Sequence, residues 1–187
     1  MTKPSKTTST SKHAPGGPFG VYVGRFCPMH LGHQEQIKQL INDFGENHLI
    51  CIGSCNHPIS FRHLFSYKDR REFIMTVFPG AKVVPLADFE EDREWLRALD
   101  DLIGVCYKRD PETAIYIGGC QEDIEFFTKA ERICRIVNRF SETPNISATQ
   151  VRDALIEGRT IANLVDPQLI DPITERFGER WKELRKL

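Results

Sequence analysis

The sequence is missing the marks of several protein classes, and each absence narrows the reading. No apolar run approaches the length needed to span a bilayer. The opening segment, residues 1–18, is rich in Thr, Ser, Lys, Pro and Gly and has no apolar stretch of the secretory kind, so a disordered tail is expected there. The six cysteines (Cys27, Cys51, Cys55, Cys106, Cys120 and Cys134) contain no CxxC pair, and their spacings do not suit zinc. Free thiols in a reducing, cytoplasmic compartment are expected instead. Charge of neither sign is in excess: the net charge of -1 argues against broad electrostatic capture of nucleic acid. There is no internal repeat, and no Ser-His-Asp or Cys-His set for nucleophilic catalysis. What is left is ordinary for a globular domain: 187 residues, 40% of them hydrophobic and 27% charged. One domain over residues 19–160 is expected, with a helical extension over 161–187 packed on it.

The chain is organised around Gly24-Arg25-Phe26-Cys27-Pro28-Met29-His30-Leu31-Gly32-His33. Before it, Phe19 to Val23 is β-branched and aromatic and reads as a buried strand. After it, Ile37, Leu40, Ile41 and Phe44 recur at helical spacing, so a helix begins near Leu31. Gly24 frees the turn from a Cβ clash, and Gly32 lets another group approach the first helical turn. A helix N-terminus offers N–H groups and the positive end of a dipole. Two imidazoles and an arginine around such an end suggest a polyphosphate. Taken alone, however, the turn is also compatible with an ordinary strand-to-helix joint.

The rest of the chain alternates. Strands are expected at His48–Gly53, Ala81–Leu86, Thr113–Gly118 and Ile133–Val137. Helices are expected from Ser66, with Asp69 at its third position, to about Phe78; from Asp92 to Tyr107; from Glu122 to Lys129; from Thr149 to Glu157; and within Pro172–Leu187. Apolar strands alternating with helices predict an α/β fold with a parallel sheet covered on both faces. Ligands of such sheets bind at the carboxyl ends of the strands, near a topological switch.

A second stretch, Ile146-Ser147-Ala148-Thr149-Gln150-Val151-Arg152, gives the first one meaning. Ser147 or Thr149 can cap the following helix, and Arg152, read as lying on its first turn, can face the same anion. By itself this is an ordinary cap with a surface arginine. Together, Gly24-Arg-Phe-x-Pro-x-His-x-Gly-His33 and Ile146-Ser-Ala-Thr-x-x-Arg152 resemble the paired HxGH and ISSTxxR signatures of the nucleotidylyltransferase superfamily. The pattern is most similar to the archaeal-type nicotinamide-nucleotide adenylyltransferases. The resemblance runs from about Phe19 to Gly158. It implies a Rossmann-like, doubly wound, five-stranded parallel sheet.

The resemblance also implies roles. His30, His33, Arg62 and Arg152 would be catalytic. Gly24, Arg25, Phe26, Gly32, Gly118, Ile146, Ser147 and Thr149 would join them in holding ATP. Asp88, Asp92 and Trp95 would hold the mononucleotide, with the tryptophan stacked on the pyridine ring. Without the resemblance, Arg62 is equally a solvated loop arginine and Trp95 a helix core residue. Two departures stand out. Asp92 replaces a frequent amide, which favours a carboxamide over a carboxylate ring. Gly118-Gly-Cys-Gln-Glu-Asp123 replaces the usual adenine- and ribose-gripping residues.

The implied reaction is transfer of the adenylyl group of ATP to nicotinamide mononucleotide, giving NAD and pyrophosphate, with Mg²⁺ carried on the phosphates rather than in a protein cage. Other acceptors stay open: nicotinate mononucleotide, pantetheine phosphate, FMN, or a cytidylyl-transferring relative, as does a non-catalytic nucleotide-binding regulatory domain. No nucleic acid or membrane partner is expected. A homo-oligomer is, with Phe61, Phe65 and the Trp181 helix as candidates for either an interface or the core.

Overall fold

The computed structural model describes residues 16–137 and 146–186. The expected tail lies outside the described residues up to residue 15.

Each expected strand and helix is present. In chain order they are β1 (Gly20–Gly24), α1 (Leu31–Phe44), β2 (His48–Ile52), α2 (Tyr67–Val77), β3 (Val83–Pro85), α3 (Asp92–Asp101), β4 (Ile115–Gly118), α4 (Gln121–Lys129), β5 (Ile133–Ile136), α5 (Ala148–Ile156) and α6 (Ile170–Leu184). The five strands are parallel and lie in the order β3-β2-β1-β4-β5. The chain therefore winds outward from β1 first toward β3, then crosses back to lay down β4 and β5. This is the Rossmann-like, doubly wound arrangement. Its switch point lies between β1 and β4, where a crevice opens at the carboxyl ends of the strands.

Period-2 alternation in the strands builds two cores. Tyr22, Ile50, Ile52 and Ile117 face one side and pack with Ile37 and Leu40 of α1, Phe73 and Ile74 of α2, Val151 and Leu155 of α5, and Ile173 of α6. Val21, Leu49, Cys51 and Tyr116 face the other side and pack with Leu99 and Ile103 of the α3 segment and Phe127 of α4. With both faces covered, the interior strand β2 is buried at every position, which is why it reads as a continuous apolar run.

Two boundaries differ from the sequence expectation. β3 is shorter, because Pro85 has no N–H to donate and sits on the edge strand, where that loss is tolerated. The helix expected over Asp92–Tyr107 is α-helical only to Asp101 and then widens into a π-type turn over Leu102–Cys106. That turn still buries Ile103 but leaves Val105 at 64% exposure.

Ser66 and Asp69 cap α2 reciprocally: the Ser66 hydroxyl accepts from the Asp69 N–H at 3.2 Å and Asp69 Oδ2 accepts from the Ser66 N–H at 2.9 Å. Asp69 is only 2% exposed and also takes ion pairs at 3.0 Å from Arg176 and from Arg180 of α6. One carboxylate thus starts α2 and docks the C-terminal helix. Phe65, a candidate for an exposed contact, is core at 1% exposure. All six cysteines are free thiols, and among the described residues no helix is long and apolar enough to cross a membrane.

Candidate active site

A cavity of about 450 Å³ opens at the carboxyl ends of β1 and β2 and reaches the start of α5. That is the place the doubly wound topology predicts, and the volume lies within the range of small-molecule sites.

Its floor is the loop after β1. Phe26 takes a left-handed backbone conformation (φ 49°) and is completely buried. Such a conformation is uncommon for a bulky residue and is held only where the surroundings fix it. Gly24 is part of the reason. A Cβ at Gly24 would lie 2.9 Å from the Phe26 ring, so the glycine makes room for the ring that folds back over it. Tyr22 packs edge-on against the same ring, and His33 lies 4.9 Å from it, centroid to centroid.

His30 caps α1, its Nδ1 accepting from the Gly32 N–H at 3.1 Å. This leaves the proton of the neutral ring on Nε2, so His30 presents a donor. A Cβ at Gly32 would come within 3.2 Å of that same Nδ1; the group Gly32 admits is the His30 imidazole itself. The His30 and His33 rings lie 3.7 Å apart, and both line the cavity. From the sequence, the first N–H groups of α1 are expected to be open to an anion. Two of them are engaged within the protein: Leu31 N–H donates to the Leu164 carbonyl at 3.0 Å and Gly32 N–H to His30. Anion attraction at this end therefore falls more to the side chains and the dipole.

Arg70 holds the two strand ends together. It is 2% exposed and donates to the carbonyls of Arg25 (2.9 Å), Gly53 (2.8 Å), Ser54 (3.1 Å) and Ser66 (3.3 Å). Burial lowers its pKa from the ordinary arginine value, and the carbonyl fork keeps the cation satisfied. Ser54 is the second left-handed residue here (φ 53°). It is tied to Asp88, whose carboxylate accepts from the Ser54 N–H at 3.2 Å and from its hydroxyl at 2.7 Å. His57 Nε2 lies 2.9 Å from the same carboxylate. Partial burial pushes the Asp88 pKa up, but the bonds from Ser54 and His57 outweigh it and hold the group below the usual value. Arg70→Lys keeps a charge but loses the fork that reaches several carbonyls. It is expected to destabilise the fold by about 2–4 kcal/mol, the scale of one or two buried acceptors left unpaired. Chemical denaturation would read that loss as a lower midpoint at unchanged slope.

On the opposite wall, Ser147 and Gln150 form a second capping box: Gln150 N–H donates to the Ser147 hydroxyl at 3.3 Å and Ser147 N–H to Gln150 Oε1 at 2.6 Å. α5 starts at Ala148, so Arg152 falls on its second turn and not its first. From there it bridges the two motifs, donating to the Cys27 carbonyl at 2.8 Å and to the Thr149 hydroxyl at 2.9 Å. Burial lowers its pKa, still far above neutrality in any protein setting. Arg25 and Arg62 are exposed at the same cavity, and among the described residues neither guanidinium is taken up by a carboxylate.

Asp88, Trp95 and Asp123 also line the cavity, where it adjoins a second groove. Trp95 meets Phe126 in a T-shaped contact at 5.2 Å and Phe127 in a tilted one at 5.9 Å. A cavity lined both by cations and by an aromatic among acids suits a phosphate group joined to a cationic or neutral ring.

A model of the cytidylyltransferase-like family matches residues 21–154. The chain belongs to this family. Among curated relatives, the nicotinamide-nucleotide adenylyltransferase of Methanococcus maripaludis is 24% identical over 160 residues, covering 83% of this chain and 88% of the relative. The nicotinamide/nicotinic acid mononucleotide adenylyltransferase of Acinetobacter baylyi is 24% identical over 172 residues, covering 89% and 90%. Among solved structures, a bifunctional NMN adenylyltransferase/ADP ribose pyrophosphatase of Francisella tularensis, complexed with AMP and a manganese ion, superposes with a TM-score of 0.67 at 20% identity over 89% of this chain. This chain spans 51% of that protein, and the likeness is one of fold.

Within the family fold, the cavity brings together most of the residues singled out in the sequence: Gly24, Arg25, Phe26, His30, His33, Arg62, Asp88, Trp95, Ile146, Ser147, Thr149 and Arg152. Three stand outside its lining. Gly32 seats His30. Gly118 gives close packing, since a Cβ there would meet Ile124 at 2.6 Å. Asp92 lies at the exposed start of α3, on an adjoining groove shared with Asp88, Trp95 and Asp123. Asp123 and the clamp made by Arg70 had no assigned role in the sequence. Asp123 Oδ2 accepts from the Gly119 N–H at 2.9 Å, a contact of helix start to strand end that a Gly-Gly followed by an acid four residues on could have signalled.

Proposed function

We propose that this chain transfers the adenylyl group of ATP to nicotinamide mononucleotide, forming NAD and releasing pyrophosphate. The observation that carries the reading is the single cavity in which the two histidines and three arginines meet the Asp88–Trp95 wall, on a family scaffold shared with relatives of that name. In this reading the mononucleotide phosphate oxygen attacks the α-phosphorus of ATP. A new P–O bond forms, the bond to the bridging oxygen of pyrophosphate breaks, and the leaving group departs with its electron pair. The attacking phosphate is already an anion, so no general base is required; the need is for alignment and neutralisation of crowded negative charge. His30 and His33 donate toward the α-phosphate. Arg25, Arg62 and Arg152 hold the β- and γ-phosphates and the departing pyrophosphate. Mg²⁺ enters with ATP as part of the substrate. Trp95 stacks on the pyridine ring, and Asp88 orders the loop beside the mononucleotide.

The acid-rich setting of Trp95 bears on the acceptor. Asp88, Asp92 and Asp123 all border its groove, and a ring carboxylate there meets like charge whereas a carboxamide meets acceptors. Nicotinate mononucleotide is therefore expected to react at least about tenfold less efficiently than nicotinamide mononucleotide. Initial rates of pyrophosphate release, run with each acceptor and with none, test both statements. NAD formed in step with pyrophosphate supports the reading. Pyrophosphate released equally without acceptor, or none released with nicotinamide mononucleotide, overturns it.

A further inference from the structure

The loop between β2 and α2 carries Arg62 to the cavity, and its two neighbours are gripped from opposite sides. Phe61 is 62% exposed, yet its ring meets Trp181 of α6 edge-on at 5.7 Å. Trp181 is in turn packed on Phe177 at 5.3 Å. On the other side, His63 stacks on His57 at 4.5 Å, the ring held 2.9 Å from Asp88. Arg62 itself lies between these grips, and among the described residues no hydrogen bond or ion pair fixes its guanidinium. A long, unpaired side chain on a loop has several rotamers to lose when it closes on an anion. Where its backbone is held decides how much of that loss is paid on binding.

We propose that Trp181 is a positioning residue: through Phe61 it sets the loop so that Arg62 faces the phosphate end of the cavity. The family match ends at residue 154, whereas this contact comes from α6, so the C-terminal helix supplies a site-ordering element of its own. α6 is well placed for it. Its Ile173 is fully buried, and Arg176 and Arg180 pair with the buried Asp69 at the foot of the same loop. The helix is thereby anchored independently of Trp181, and loss of the indole should release the loop without releasing the helix. The inference rests on the reading above only in taking a nucleoside triphosphate as the ligand of Arg62.

The test is a double-mutant cycle on Mg-ATP binding and on steady-state kinetics, with Trp181→Ala, Trp181→Phe, Arg62→Ala and the Trp181→Ala/Arg62→Ala pair. Trp181→Ala is expected to weaken ATP binding and raise its KM by about tenfold, with the KM for nicotinamide mononucleotide unchanged, as loss of alignment at one end of the site requires. Trp181→Phe is expected to restore most of the loss, and in the Arg62→Ala background Trp181→Ala is expected to add nothing. Full additivity of the two losses, an unchanged ATP affinity, or equal weakening of both substrates with a lower melting temperature would overturn the proposal. Because ATP binding is read by calorimetry, the coupling stands or falls even if the acceptor differs. Coupling without NAD formation would fault only the acceptor; NAD formation without coupling would fault only the role of Trp181; a wild-type chain that binds no Mg-ATP would overturn both.

Discussion

His33→Ala is expected to lower kcat for NAD formation by ~10²–10³, the usual cost of deleting one preorganised donor at a centre where charge builds. The geometry explains both the size and the parameter affected. The His33 ring lies between Phe26 and His30, at 4.9 Å and 3.7 Å, and His30 is fixed by the Gly32 N–H. With both rings held by these contacts, the benefit is expected as the α-phosphorus becomes crowded with oxygen. In the proposed mechanism, ground-state affinity for ATP comes largely from Arg25, Arg62 and Arg152, which the substitution leaves in place. The KM for ATP should therefore change little while kcat falls. Steady-state kinetics decide this, and near-normal turnover would remove His33 from the role.

Trp95→Ala is expected to act on the other substrate, raising the KM for nicotinamide mononucleotide by roughly 10- to 100-fold, as stacking worth ~1–3 kcal/mol implies. Trp95 is half-buried, packed against Phe126 and Phe127, and still lines the cavity, where its ring can meet another ring. Trp95→Phe should retain most of the affinity. The KM for ATP should change little, since the substitution leaves the three arginines in place. A variant that lost ATP affinity instead, or kept the affinity for the mononucleotide, would return Trp95 to a purely structural role. Comparing the two substrates within one variant removes any general loss of stability from the comparison.

What could be read in the sequence was mostly local. The capping pairs Ser66/Asp69 and Ser147/Gln150 lie three residues apart, and the strands announce themselves through Val, Ile and Tyr. The two signature stretches could be paired because each is a strand-to-helix or loop-to-helix joint, whose chemistry a few consecutive residues define. Features that depend on distant parts of the chain were hidden. The Arg70 fork joins carbonyls from Arg25 and Gly53 that only sheet formation brings together. That Arg152 belongs with the first motif was legible, but its bond to the Cys27 carbonyl, which ties the second motif to the first, was not. The left-handed backbone at Phe26 and Ser54 breaks local preference, and neither residue type advertises it. Phe61 looked like an interface or core residue; its partner Trp181 stands far along the chain, and only the docking of α6 on Asp69 puts the two rings together. Gly32 is a place of close approach, as its position in the first helical turn suggests, and the approaching group is the chain's own His30.

The central claim is direct, in-line transfer: the two histidines act as donors and never carry the adenylyl group. A single diastereomer of the α-thio analogue of ATP, turned over with nicotinamide mononucleotide and followed to its thio-dinucleotide product by phosphorus NMR, tests this most directly. One displacement at phosphorus predicts inversion of configuration. Retention would require two displacements through a nucleotidylated side chain, His30 or His33 being the nucleophiles at hand, and would contradict the account.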